Sequence, residues 1–147
     1  MAFLVVDDHL LRGVLTSRPA RRVRAARTRG ELTTTELYYH RLCSSLARPE
    51  ISGHLSAPVA VLDEAVQAQF RQQLVALPDD IATVPIRELS WRMAVLKDRF
   101  RISTLVAEAL ASAETLQATI AVDAADVGTQ MLVAARELGI RVVTLAS

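Results

Sequence analysis

Apolar and polar positions fall in blocks along the chain, and the period of each block predicts an element. The run Phe3 to Val6 is apolar without alternation and ends at two adjacent acids, Asp7 and Asp8, which reads as a short buried strand. In open α/β sheets the carboxyl end of such a strand is where ligand sites form, so the acids are expected to face a cleft. His9 to about Leu15 is expected to be helical with Asp7 or Asp8 at its cap, and SRPARRVRAARTRG reads as an arginine-rich helix ending at Gly30. In ELTTTELYYHRLCSSLAR the positions Leu32, Tyr39, Leu42 and Leu46 follow a helical period, one threonine is a plausible cap, and Glu36 falls in the first turn or two.

RPEISGHLSAP reads as a loop, and VLDEAVQAQFRQQLVAL as a helix stopped before Pro78. IATVPI is a small strand whose Pro85 argues for an edge or a terminus. Helices are expected over RELSWRMAVLKDRF, with Leu89, Met93 and Leu96 at core spacing, over STLVAEALASAETL, and over GTQMLVAAREL up to Gly139. ATIAV and IRVVTL complete the strands. The alternation predicts an α/β fold with a mostly parallel central sheet and helices on both faces.

Composition narrows the class without naming a function. The 147 residues, 51% hydrophobic and 22% charged, suit one globular domain over 1–147. No apolar run approaches the ~20 residues of a membrane span, and the acids near the start do not suit a secretory signal, so a cytoplasmic protein without a membrane partner is expected. Cys43 is the single cysteine; it forms no internal disulfide, lacks zinc-ligand spacing, and is read as a packed, inert thiol. The net charge of +1 hides a local excess: Arg12, Arg18, Arg21, Arg22, Arg24, Arg27 and Arg29 fall in a stretch without an acid. Arg18, Arg21, Arg22 and Arg24 are candidates for nucleic-acid phosphates, against the alternative of a solvated face in a chain that uses arginine almost to the exclusion of lysine.

Several chemistries have no support in the spacing. A Gly-rich phosphate loop, a nucleophile elbow and an HExxH pair are all missing, and His9, His40 and His54 are scattered. What remains is carboxylates near strand ends: Asp7, Glu36, Asp123 and Asp126. Oxygen ligands of this kind suit Mg2+ or Mn2+, and such ions make phosphodiester hydrolysis available by activating water and neutralising charge on the leaving oxygen.

FLVVDDHLL, TTTELYYHRLC, FRISTLVAEALASAETLQATIAVDAADV and AARELGIRVVTL together resemble PIN-domain proteins, above all the toxin (VapC-like) components of bacterial VapBC toxin–antitoxin pairs. The resemblance implies a three-layer α/β/α sandwich and Mg2+- or Mn2+-dependent RNA cleavage by four acids. It places the first acid at Asp7 and the second at Glu36, and puts Val106 and Ala124 at the other two positions. Asp123 or Asp126 is then a substitute, with Asp7, Glu36 and Asp123 as metal ligands, whereas Glu108 is expected to point away as a solvated or interface glutamate. Asp7 is read as the site acid and Asp8 as a helix cap or first-turn acid. The implied function is a PIN-like protein with a partly lost site, weakly active or inactive, kept for binding RNA or an antitoxin-like protein. The alternative is an active endoribonuclease completed by Asp123 or Asp126. A homodimer is expected in either case.

Overall fold

The computed structural model describes residues 2–48 and 55–146, and the middle of the expected loop, with His54, lies outside the described residues. The elements are β1 (Leu4–Val6), α1 (Asp8–Leu15), α2 (Arg21–Thr28), β2 (Leu32–Thr34), α3 (Glu36–Ala47), α4 (Ala57–Ala60), α5 (Glu64–Val75), β3 (Ala82–Thr83), α6 (Ile86–Phe100), α7 (Thr104–Leu116), β4 (Thr119–Asp123), α8 (Thr129–Leu138) and β5 (Val142–Leu145). All strand pairs are parallel, in the order β3-β2-β1-β4-β5, with Leu4 opposite Leu32 and Thr119. This is the expected three-layer α/β/α sandwich.

The two faces of the sheet follow the period of two along its strands. Val5, Ile120 and Val122 pack with α6, α7 and α8, while Leu4, Val6 and Ala121 pack with α1, α2 and α5. β3 is an edge strand as expected, and Pro85 stands at the cap of α6. Gly139 ends α8 at φ +70°, a left-handed turn that favours glycine. No helix among the described residues is long and apolar enough to cross a membrane.

Two segments depart from their expected class: Ala57 and Pro58, at the end of the expected loop, begin α4, and the start of the expected α3 helix is a strand. Leu32 does not belong to a helix; it opens β2, and only Glu36 onward is helical. The β-branched run Thr33–Thr34 favours a strand, and its hydroxyls are satisfied by neighbouring strands, Thr33 donating to the Ala82 carbonyl (2.6 Å) and Thr34 to the Val6 carbonyl (2.8 Å). Thr35 is the expected cap, its hydroxyl accepting from the Tyr38 N–H at 3.0 Å.

The strand order fixes where a site can form. From β1 the chain moves outward through β2 and β3, then returns to place β4 on the other side of β1. The direction reverses between β1 and β4, so the crevice at their carboxyl ends is the topological switch point of the sheet.

Candidate functional site at the carboxyl edge

Asp7 and Asp123 stand at the ends of β1 and β4, on either side of that crevice. Asp7 continues the ladder by donating its N–H to the Ala121 carbonyl (3.2 Å), and then the chain turns into α1. Its Oδ1 accepts from the Leu10 N–H (2.9 Å), so Asp7 is the N-cap; its Oδ2 accepts from the Asp123 N–H (2.8 Å). The Oδ1 of Asp123 accepts from the Ala125 N–H at 2.8 Å, which shapes the turn after β4. Asp7 is only 3% exposed, and burial pushes its pKa up to about 7 against the two N–H donors that favour the charged form. The nearby charges of Asp8 and Asp123 push in the same direction as burial.

Arg12 lies on the same helix and is buried in the acids' field. Burial works to lower its pKa, and the charges of Asp123, then Asp7, then Asp8, oppose that. Its Nη1 stands 3.4 Å from the Leu55 carbonyl oxygen and 3.5 Å from the Nδ1 of His9. The other ring nitrogen of His9, Nε2, faces the Asp126 carboxylate at 3.5 Å.

A second arginine closes the remaining acids. Asp8, fully buried, has its Oδ1 on the His9 N–H (3.0 Å) and its Oδ2 2.8 Å from the Nε of Arg41 on α3. The latter is an ion pair whose N–H is not aimed along the contact, since Oδ2 has no hydrogen bond of good geometry. Arg41 also reaches Asp126 through Nη2 at 3.3 Å. Burial raises the Asp8 pKa, with Arg41 and His9 opposing. The buried phenol of Tyr38 is held well above its ordinary value by burial and then by Asp7 and Asp8.

The other two acids of this edge are spent on helix ends. Glu36, at the start of α3, accepts through Oε2 from the Ile86 N–H at the start of α6 (3.2 Å). Glu108 corrects the expectation of a solvated or interface side chain: it is fully buried, and its oxygens accept from the Leu37 N–H (2.9 Å) and the Glu36 N–H (3.2 Å). The reason lies in α7, where every residue from Ala107 to Ala113 is buried, so the side of the helix away from Val106 faces α3 rather than water. There the free amides and the positive end of the α3 dipole receive a carboxylate. Glu108→Ala should therefore leave two amides without their acceptor and lower stability by about 2–4 kcal/mol in urea unfolding, with Glu108→Gln restoring part of the loss.

The candidate residues thus separate. Asp7 and Asp123 stand together with Arg12 in their field; Asp126 joins Asp8, His9 and Arg41; Glu36 is turned to α6. Asp7 is both site acid and cap, and Asp8, read as a cap or a first-turn acid, is the latter and is buried. Of the residues not singled out for this site, Arg12 carried a signal, since it follows Asp8 by four positions on a predicted helix; Arg41 and Glu108 depend on tertiary packing and carried none.

A divalent ion would meet competition at both acid pairs. The donor atoms of Asp8, His9 and Asp126 lie within 4.8 Å of one another, a spacing that suits a cation, yet Arg41 already bridges the two carboxylates. At Asp7 and Asp123 both oxygens of Asp7 hold amides and the Arg12 guanidinium supplies positive charge. As built, the edge does not fit Mg2+ or Mn2+ without displacement of a guanidinium.

The arginine-rich segment is elsewhere. Arg18 follows the end of α1, and α2 delivers the chain to Glu31, whose carbonyl accepts from the Leu4 N–H (2.9 Å) at the start of β1. This is the amino edge of the sheet, away from the acids, because α1 carries the chain across the sheet first. Cys43 is half-buried, with burial raising its thiol pKa, in keeping with an inert side chain.

No family model matches the chain, and no curated protein matches it.

Proposed function

We propose that the chain is a PIN-like protein related to toxin–antitoxin ribonucleases, in which the metal site is partly lost and arginines hold the acids in its place. Catalysis in this reading is weak or absent and the protein acts by binding, with RNA, an antitoxin-like protein and a second copy of the chain as its partners. The observation that carries the reading is Arg12, buried in the field of Asp123, Asp7 and Asp8 at the switch point. Support comes also from Val106 and Ala124, which stand where the resemblance calls for acids, and from Glu36, whose carboxylate is engaged by the α6 amide. The parallel α/β/α sheet, with Asp7 at the end of its central strand, is the scaffold the resemblance implies.

The second reading, an active Mg2+- or Mn2+-dependent endoribonuclease, is favoured by one contact: the 2.8 Å bond from the Asp123 N–H to Asp7 sets a substitute acid directly beside the first one. Calorimetric titration of Mn2+ at near-neutral pH separates the two. The expected result is no saturable binding by the unmodified protein. Saturable binding that Asp7→Asn or Glu36→Gln abolishes would establish a working metal site and favour the nuclease.

A further inference from the structure

The seven arginines between positions 12 and 29 meet three different fates. Arg12 is buried among the acids of the carboxyl edge. Arg27 forms a two-pronged pair with Asp80 (2.7 and 3.1 Å), and Arg29 pairs with Glu31 at 2.7 Å. Arg18, Arg21, Arg22 and Arg24 are exposed and make no ion pair among the described residues. Four uncompensated guanidiniums within seven positions concentrate positive charge on the exposed face of α2 and the turn before it.

We infer that this face binds the phosphate backbone of single-stranded RNA, at the opposite edge of the sheet from the acid site. The inference deepens the binding reading above by naming a contact surface, and it stands on the charge map of α2. The apolar residues of α2, Val23 and Ala26, are buried against the sheet, so its outer face offers a protein partner no aromatic or aliphatic anchor. Guanidinium forks match phosphate oxygens in pairs and need no anchor. Beside them, Arg24, Arg27 and Thr28 line an open recess of about 550 Å3 between α2, the end of α1 and Asp80. None of the four arginines has an exposed aromatic neighbour on α2 on which a base could stack, so the contact is to backbone and indifferent to sequence.

The test is fluorescence anisotropy with labelled oligouridylate of about 15 nucleotides, long enough for one binding surface, over a range of salt. Four phosphate contacts give an expected slope of about −3 in log K against log salt. The fourfold variant Arg18→Gln, Arg21→Gln, Arg22→Gln and Arg24→Gln is expected to weaken binding at least tenfold and flatten the slope. A control fourfold variant at exposed arginines elsewhere, Arg71→Gln, Arg87→Gln, Arg136→Gln and Arg141→Gln, changes net charge equally and is expected to bind within a few-fold of the unmodified protein. Thermal unfolding of both variants confirms that they are folded. Equal loss in the control, no loss in the α2 variant, or no RNA binding at low salt overturns the inference. Displacement of the RNA by polyglutamate of matched charge also overturns it, in favour of an acidic protein segment. None of these results bears on Mn2+ binding at the acid edge, so the two readings fail separately.

Discussion

Asp7→Asn is expected to stabilise the protein by about 3–4 kcal/mol at about pH 8 and to leave it close to unmodified stability at about pH 4. The buried Asp7 carboxyl has its pKa raised from an ordinary 3.8 to about 7. A group that holds its proton more tightly when folded contributes stability below its unfolded pKa and loses it as pH rises through the folded value. The loss therefore runs between about pH 4 and pH 7, and the full shift corresponds to roughly 4 kcal/mol. An asparagine carries no charge to bury but can accept only one of the Leu10 and Asp123 amides through its oxygen, a cost of about 1–2 kcal/mol that the protonated acid shares. Urea unfolding at the two pH values checks this. A variant less stable than the unmodified protein at the higher pH would mean that the ionised Asp7 is well compensated.

The second large effect belongs to Arg12. Arg12→Met keeps most of the side-chain volume and removes the positive charge set among Asp123, Asp7 and Asp8. Deleting one partner of a buried ionic cluster costs about 3–5 kcal/mol, because the remaining carboxylates lose their compensation without regaining water. The deficit should shrink as pH falls toward about 4, where those carboxylates take up protons instead. Arg12→Lys retains the charge without the planar fork and should fall between the two. A loss below about 1 kcal/mol for Arg12→Met would be the value of an exposed pair, and would mean that the acids are served by solvent.

Much of the fold was legible because local signals agreed with one another. The apolar run into Asp7, the core spacing of Leu89, Met93 and Leu96, and Gly139 at the end of α8 each specify an element through its own period or cap. β2 was hidden because Leu32 happens to fit the helical period of α3, and three residues are too few for the alternation of a strand to stand out. At the site, strand ends pointed to Asp7 and Asp123, which the parallel register of β1 and β4 sets side by side. The arginines were not legible in the same way. Arg12, Arg18 and Arg24 look alike in a charge run; beyond the spacing of Arg12 from Asp8, it is the path of the chain across the sheet that sends the first into the acid cluster and the others to the amino edge. Glu108 misled for a related reason: helical rotation tells where a side chain points relative to Val106, but not that α7 is enclosed on both sides.

The claim that Asp7 belongs to a cluster of buried acids around Arg12 rather than to a metal site is tested most directly by following its carboxyl carbon by NMR through a pH titration, with and without millimolar Mg2+. The expected result is a midpoint near 7 that Mg2+ leaves in place. A midpoint that Mg2+ moves down by about one unit or more would contradict it, because only an ion bound to the carboxylate competes with its proton in that way.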